Sequence, residues 1–291
     1  MSPLRVALLT LAAVLAFAGN SLLCRAALSD TTIDAASFTT LRLLSGALVL
    51  WLVVRLRATG HEHGGSWMSA LALFAYAAGF SFAYVNLSAA TGALLLFGAV
   101  QATMLGRGLW LGERLSARQL FGLAMAMGGL VVLLLPGLTA PPIGAALMMI
   151  AAGVAWGVYT LRGRDAQDAI AATAGNFLRA GTFTVAVSLL MLQDLSVDAE
   201  GVAYAVLSGA LTSGLGYAVW YTVLPALRAT QAATVQLSVP VIAAVGGVLL
   251  LGEQLSPRLI MASAAVLGGI ALTIVARAKA EAAPAKPSPQ D

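Results

Sequence analysis

Long apolar stretches separated by short polar ones run along almost the whole chain. Residues 64–106 and 119–161 contain no Asp, Glu, Lys or Arg. A helix needs about 20 mostly apolar residues to cross the hydrocarbon core of a bilayer. Apolar windows bounded by charges, Gly, Pro or polar clusters predict ten such helices, at residues 4–24, 35–54, 67–86, 88–107, 117–136, 142–161, 170–191, 200–223, 228–250 and 257–276.

The composition favours a membrane-spanning chain over a soluble domain. Hydrophobic residues make up 60% and charged residues 10% of the 291 residues, whereas soluble domains have about 25% charged residues. The formal net charge of +4 reflects basic residues in short loops, so we expect a lipid bilayer and no nucleic acid as partner. The single cysteine, Cys24, excludes an internal disulfide and a cysteine-based metal cluster, and we expect no metal or other cofactor.

Lys and Arg are distributed unequally between the two sides of the predicted helices. With a cytoplasmic N-terminus, twelve of them lie at inner helix ends, in inner loops or in the tail, and only Arg25 and Arg258 lie outside. Cytoplasmic loops carry the excess of basic residues in membrane proteins. The pattern therefore predicts cytoplasmic N- and C-termini, with residues 277–291 as a disordered tail because they are rich in Ala, Pro and polar residues.

The sequence contains an internal duplication. Residues 111–116 read LGERLS and residues 251–256 read LGEQLS, and nine of 25 positions agree between 111–135 and 251–275. Each half has five predicted helices, an odd number, so the halves cross the membrane in opposite directions, as in many transporters. We therefore predict an all-α polytopic membrane protein of ten transmembrane helices in two inverted five-helix repeats, 1–137 and 138–276.

The repeated LGExLS phrase predicts a helix–turn–helix joint. A glycine in the left-handed conformation often ends a helix, and a serine often caps the next one. The two acidic residues are expected near the positive start of the helix that follows, with a structural role or a direct part in gating. The residues concerned are Gly112, Glu113 and Ser116 in the first joint, and Gly252, Glu253 and Ser256 in the second.

Further motifs accompany the duplication. They are Gly19-Asn20, Trp156-Gly157 with Tyr159, the Leu-Arg pairs at 41–42 and 178–179, and the Ala-Thr pairs at 90–91 and 229–230. With these motifs, residues 4–276 resemble the drug/metabolite transporter superfamily and, within it, the EamA-type ten-helix exporters. The chain looks most like the YddG-type aromatic amino-acid exporters of the bacterial inner (cytoplasmic) membrane.

This resemblance implies a central cavity formed by the first four helices of each half, with the fifth and tenth helices beside it. Pro240 matches a usual feature of the family in the second half, whereas the first half has Val100 at that place. Because proline kinks helices, we expect only the ninth helix to kink strongly.

Aromatic residues form groups on three of these helices. The spacing places each group on one helix face. Rings on several sides of a cavity suit an aromatic ligand, although packing against lipid or neighbouring helices explains any single residue as well. The candidates are Tyr76, Phe80 and Tyr84 in the third helix, Trp156 and Tyr159 in the sixth, and Tyr217, Trp220 and Tyr221 in the eighth.

Four polar residues inside the predicted helices are further candidates. Asn20 and Gln101 provide neutral donors and acceptors for a zwitterion, or simply join helices. Arg42 and Arg179 occupy equivalent repeat positions. They either have a structural role, with Asp34 or backbone carbonyls as partners, or bind a substrate carboxylate.

Small residues in the fifth and tenth helices suggest close packing. Ala124 and Gly128, and Ala264 and Gly268, have the small-xxx-small spacing that lets helix backbones approach closely. We expect these helices to pack against each other or against a neighbour.

The chain lacks the groups that other membrane functions need. All twelve Asp and Glu residues lie in loops, at helix ends or in the tail, and His61 and His63 lie in an inner loop. No proton relay, nucleophile with a base, or P-loop is evident, so we predict a passive or gradient-driven exporter of aromatic and other hydrophobic amino acids, and no enzyme. Export of cationic aromatic drugs is the alternative, and a lipid-moving or structural role is a third. Since one chain supplies both halves, a monomer suffices.

Overall fold

The structure, a computed structural model, describes residues 1–57, 64–112, 115–137, 140–163, 166–227 and 229–282, without the side chains of 229–230 and 277–282. Glu113, His61, His63 and the end of the tail lie outside the described residues. The described part is all-helical and contains no strand. Its long helices are α1 (Pro3–Asp30), α2 (Ala35–Leu56), α3 (Trp67–Tyr84), α4 (Ala89–Trp110), α5 (Ala117–Leu134), α6 (Ile143–Gly163), α7 (Ala169–Leu190), α8 (Ala199–Ala226), α9 (Ala229–Gln236 and Ser238–Leu251) and α10 (Pro257–Ala282).

These helices confirm the predicted membrane-spanning fold. Among the described residues, nine helices are long and apolar enough to cross a bilayer. The tenth helix, α7, is not among these nine; it has 22 residues and contains the polar residues Asn176 and Arg179. One boundary prediction was wrong, because α10 continues through residues 277–282, which the composition had assigned to a disordered tail.

The two halves pack together in a pattern that repeats. α3 and α4 both pack on α6, and α8 and α9 both pack on α1. Because α6 is the counterpart of α1, α8 of α3 and α9 of α4, exchanging the halves turns the first contact pattern into the second. Three further contacts each join two counterpart helices: α2 with α7, α4 with α9, and α5 with α10. This exchange symmetry is the geometry expected of inverted repeats.

The two LGExLS joints have the local structure that their sequence predicts. Gly112 and Gly252 have φ values of +87° and +63°, in the left-handed region that favours glycine. The Ser116 hydroxyl accepts from the Gln119 N–H, and the Gln119 side chain accepts from the Ser116 N–H, which makes a capping box at the start of α5. The Ser256 hydroxyl accepts from the Leu259 N–H in α10 at 3.1 Å.

Two helices depart from regular geometry. α9 is interrupted between Gln236 and Ser238, and Pro240 lies in the first turn of its second segment, as expected because proline lacks an N–H and clashes with the preceding turn. The sequence did not predict the second departure, a π-helical stretch over Ser208–Leu215 in α8. Such wide turns occur often at functional sites.

The close packing of α5 against α10 uses mostly different residues from those predicted; of the predicted residues, Gly268 does face α5, where an added Cβ would lie 3.3 Å from Met125 Cε. Ala124 and Gly128 are exposed, and a Cβ atom added to Gly128 would meet nothing within 4 Å. The backbones instead approach at Gly122 and Gly269, where an added Cβ on Gly122 would lie 2.5 Å from the Gly269 carbonyl oxygen. Helix pairing was therefore predicted correctly, but the contact face of α5 was not.

Gly122→Ala should destabilise the protein, whereas Gly128→Ala should not. The added methyl group at Gly122 clashes with a backbone oxygen that cannot move freely, and such overpacking costs about 1–3 kcal/mol. Thermal unfolding of the two purified variants in the same detergent tests this expectation. Equal melting temperatures for the two variants would contradict the described α5–α10 contact.

Candidate functional site

A cavity of about 350 Å³ lies among helices of both halves. This volume falls in the range of small-molecule sites. At one end the cavity is lined by Gly163 at the end of α6, Ala169 at the start of α7 and Pro225 at the end of α8. These helix ends lie at the face of the bundle where α1 begins. That face is called here the N-terminal face, and the opposite one the far face. The lining residues are Phe17, Asn20, Ser21, Tyr76, Phe80, Leu96, Phe97, Trp156, Thr160, Gly163, Ala166, Ala169, Thr212, Tyr217, Trp220, Tyr221, Leu224, Pro225 and Gln236.

Trp156 is the centre of the aromatic wall. Its ring lies 4.8 Å from the ring of Tyr76, 5.3 Å from that of Tyr159 and 5.2 Å from that of Tyr217, measured between centroids. These distances are those of favourable tilted and stacked ring pairs. Three helices that are distant in sequence thus contribute one continuous aromatic surface.

A second group of rings continues this surface along α1 and α8. Phe17 lies 5.7 Å from Tyr217 and also 5.7 Å from Trp220 between ring centroids. Phe17 was not among the sequence-based candidates. It precedes Asn20 and Ser21 by three and four residues, so helical periodicity places it on their face, and this signal was available.

The polar part of the lining is neutral and centred on Asn20. The Asn20 amide donates to the Tyr76 hydroxyl at 3.3 Å, and its carbonyl oxygen accepts from Ser208 at 2.7 Å and from Thr212 at 3.4 Å. Ser208 and Thr212 belong to the π-helical stretch of α8. The irregular turn therefore holds an amide at the cavity wall. No Asp, Glu, Lys, Arg or His occurs among the described lining residues.

Seven of the ten predicted binding residues line the cavity, and three do not. Tyr84 is fully buried nearer the far face, where its hydroxyl donates to the Ala89 carbonyl at 3.3 Å. Tyr159 stacks behind Trp156 and bonds to Thr173, at 3.4 Å between the hydroxyl oxygens. Gln101 is half-buried in α4, outside the lining. The other seven are Asn20, Tyr76, Phe80, Trp156, Tyr217, Trp220 and Tyr221.

A network at the far face joins helix ends there, and we call it the far-face latch: Arg25, Tyr84, Ala89 and Glu253. The Glu253 carboxylate accepts from the Ala89 N–H at 2.9 Å and from Arg25 Nε at 3.1 Å. Arg25 also donates to the carbonyl of Tyr84 at 3.0 Å. The two charged side chains are 22% and 12% exposed, so water screens the ion pair only partly.

The latch corrects the expectation for Glu253. We expected this carboxylate near the start of α10, the helix that follows its joint. It lies instead at the N-terminus of α4, in the other half of the chain, where the helix dipole and free N–H groups favour a negative charge. Glu253 thus joins the end of α1, the start of α4 and the α9–α10 joint.

A second far-face contact joins the loops before α2 and α8. The Asp34 carboxylate caps α2 by accepting from Ala36 and Ser37, and it also accepts from the Ser196 N–H at 3.1 Å. Burial disfavours its charge, but these hydrogen bonds prevail and lower its pKa below the usual value. Its contribution to stability is therefore present at neutral pH and lost as the pH falls through that lowered pKa.

The two intramembrane arginines have different surroundings. Arg179 is half-buried and donates from Nη1 to the carbonyls of Gly64 at 2.9 Å and Gly175 at 3.0 Å, as the backbone-carbonyl alternative predicted. Arg42 is 1% exposed. Its guanidinium lies over the rings of Tyr76 and Phe80, 5.5 and 5.0 Å from their centroids. Asp34 is not its partner.

No group of three or more His, Cys, Asp or Glu residues with metal-binding geometry occurs in the described part of the chain. The cavity offers ring faces, hydroxyls and amides, which suit reversible binding of an amphipathic molecule.

The fold and cavity define a polytopic membrane protein with the inverted repeats of a transporter. Comparison with known proteins extends this conclusion. The EamA-like transporter family matches the chain twice, over residues 4–135 and 143–275. The chain belongs to this family and is a membrane transporter.

The relatives' names specify no substrate. An uncharacterized protein of Pseudomonas aeruginosa is 60% identical over 274 residues, which cover 94% of this chain and 96% of that protein. An uncharacterized transporter of Archaeoglobus fulgidus is 29% identical over 170 residues, 57% of this chain and 60% of the relative. A crystal structure of another protein has a TM-score of 0.66 at 20% identity, over 95% of this chain and 99% of that chain, and so shares the fold.

Proposed function

We propose that this transporter exports small amphipathic metabolites, above all aromatic and other hydrophobic amino acids, by alternating access. The observation that carries the proposal is the neutral, ring-lined cavity of about 350 Å³, whose described lining reaches the N-terminal face while the latch residues join helix ends at the far face. Each aromatic contact with a ligand ring contributes about 0.5–1.5 kcal/mol beyond burial. Several weak contacts of this kind bind a substrate and still release it.

The neutral polar groups suit the other end of an amino acid. Asn20, Ser21 and Thr212 line the same cavity as the rings. Amide and hydroxyl groups can donate to a carboxylate and accept from an ammonium group without adding a buried charge.

Alternation between two states follows from the inverted repeat. The repeat offset that aligns Arg42 with Arg179 also aligns Arg25 with Arg162 and Tyr84 with Tyr221. Arg162 now donates to the Ser69 hydroxyl at 3.2 Å. In the other state, we propose, Arg162 and Tyr221 close the N-terminal face as Arg25 and Tyr84 close the far face now. Glu113, the repeat counterpart of Glu253, lies outside the described residues.

Transport in this proposal runs down the substrate's own gradient, without ATP. No carboxylate or histidine lines the described cavity, and proton-coupled carriers commonly have such a group within the membrane. The proposed location is the bacterial inner membrane, with both termini cytoplasmic because of the excess of Lys and Arg on that side. One chain contains both repeats, so a monomer suffices for the proposed function.

Flux from liposomes that contain only the purified protein tests the proposal. We expect saturable efflux of preloaded labelled tryptophan and phenylalanine with no proton or ion gradient, at rates well above those of protein-free liposomes. Flux that requires an imposed proton gradient would contradict the passive mechanism. Flux of cationic aromatic compounds but of no amino acid would contradict the substrate class.

A further inference from the structure

Arg42 is a buried cation with two unpaired guanidinium nitrogens. Its side chain is 1% exposed, and Nε and Nη1 are buried without a hydrogen-bond partner in the described part of the chain. Guanidinium is charged at every accessible pH. Burying a charge without a partner is strongly unfavourable, so such a group indicates a function that requires it.

No carboxylate of the described residues neutralises this charge. The ion pairs found there join Arg25 to Glu253 and Arg57 to Asp168. The guanidinium instead lies over the faces of Tyr76 and Phe80, within 5.5 Å of both ring centroids. Both rings line the cavity, so Arg42 lies one side chain behind the cavity surface.

Arg179 shows that the position does not by itself leave an arginine unpaired. It is the repeat counterpart of Arg42, yet its Nη1 atom donates to two backbone carbonyls, at 2.9 and 3.0 Å. A purely structural role would be served in the same way at both positions. Arg42, behind the cavity, has unpaired nitrogens, whereas Arg179 is bonded to a loop carbonyl and to a carbonyl of its own helix.

We propose that Arg42 makes the Tyr76–Phe80 end of the cavity an anion subsite, so that the transported class is aromatic monocarboxylates. The inference rests on the proposed function and specifies it: the carboxylate is required, and the ammonium group of an amino acid is not. The proposal requires the Tyr76 ring, whose hydroxyl accepts a 3.3 Å hydrogen bond from Asn20, to rotate so that the unpaired guanidinium donors reach the carboxylate.

The same arrangement disfavours cationic ligands at this end. Aromatic faces attract cations, but here the Tyr76 and Phe80 faces already hold the Arg42 guanidinium. A second positive charge at this end is repelled, and the repulsion is strong because the surroundings have a low dielectric constant.

Three ligands that share a phenyl ring and differ in charge test the proposal. Isothermal titration of the purified protein in detergent compares 3-phenylpropanoate, phenylalanine and phenethylamine. We expect the two carboxylates to bind with similar affinity and phenethylamine to bind at least about tenfold more weakly. Arg42→Gln should weaken the carboxylates about ten- to hundredfold, the range of a charged hydrogen bond. Arg179→Gln, the matched control, should leave the order of affinities unchanged.

Each other outcome overturns the inference in a recognisable way. If phenethylamine binds as well as 3-phenylpropanoate, the anion subsite is wrong while transport of aromatic compounds stands. If phenylalanine binds and 3-phenylpropanoate does not, the ammonium group is essential and the proposed class is wrong. If none of the three binds, the inference and the proposed function fail together. If folded Arg42→Gln binds both carboxylates as tightly as the wild type, Arg42 does not form the subsite and the inference is wrong. Where Arg42→Gln does not fold, the wild-type series still tests the preference for a carboxylate.

Discussion

Glu253→Gln should raise the rate at which a small maleimide modifies Cys24 by about tenfold or more. The substitution keeps the shape of the side chain and removes the charge that holds Arg25 and the start of α4. Hydrogen bonds to charged groups contribute about 1.5–3 kcal/mol, and about 1.4 kcal/mol already changes an opening equilibrium tenfold. The far face should therefore open more often.

Cys24 is a built-in reporter of this opening. It is the only cysteine in the sequence, it directly precedes Arg25, and it is fully buried in the latched state. Modification is followed by mass spectrometry after timed exposure of purified protein. Glu200→Gln is the control, because Glu200 is also a far-face carboxylate, but it accepts its hydrogen bond from Tyr204 of its own helix, at 3.1 Å, and not from Arg25 or the start of α4. An unchanged Cys24 rate in Glu253→Gln, or an equal rise in Glu200→Gln, would mean that Glu253 does not latch the far face.

Trp156→Ala should abolish measurable transport of tryptophan and phenylalanine. Its ring contacts Tyr76, Tyr159 and Tyr217, so its loss removes one wall of the cavity and the support of three further rings. Truncating a fully buried aromatic residue costs about 3–5 kcal/mol; Trp156 is half-buried, so its truncation costs less, but the ligand loses ring contacts in addition. Trp156→Phe keeps an aromatic ring and should retain a substantial part of the flux.

The matched control is Trp51→Ala. Trp51 is 50% exposed in α2, outside the cavity lining, so its truncation should leave the flux nearly unchanged. Both variants need equal amounts of folded protein in the liposomes, checked by size-exclusion chromatography before reconstitution. Full flux in Trp156→Ala would show that the substrate does not use this cavity.

The helices and their joints could be predicted from the sequence because the signals are local. Apolar windows gave the helix positions, and the LGExLS phrase contains its own glycine and serine caps, as Gly112, Ser116, Gly252 and Ser256 show. The break in α9 next to Pro240 is local for the same reason. The nine matched positions gave the inverted repeat.

Contacts between distant residues could not be predicted in this way. Glu253 lies 164 residues from Ala89, and nothing in its own joint indicates that it caps the start of α4. Gly122 and Gly128 are similar in sequence context, yet of the two only Gly122 faces α10. The sequence could not distinguish them, because a helix that is apolar all round does not reveal which side packs against protein. For the same reason Tyr84, in the aromatic stripe of α3, was assigned to the cavity although it lies at the latch.

The π-helical stretch of α8 gave no usable signal either. Residues 208–215 read SGALTSGL, small and weakly polar like much of the chain. Their effect is nevertheless specific, since Ser208 and Thr212 both donate to Asn20 at the cavity wall. The polar centre of the site thus depends on a backbone irregularity that only the structure shows.

Counterflow tests the central claim, that one cavity is exposed alternately to the two faces. Liposomes containing the purified protein are loaded with a high concentration of unlabelled phenylalanine and diluted into a trace of labelled phenylalanine, without any ion gradient. The account predicts a transient accumulation of label inside, above its outside concentration. Each carrier that exports an unlabelled molecule then exposes its empty site outside, where it binds a labelled molecule and carries it in. Equilibration of the label without overshoot, at a rate independent of the internal phenylalanine, would contradict alternating access and indicate a continuous pore.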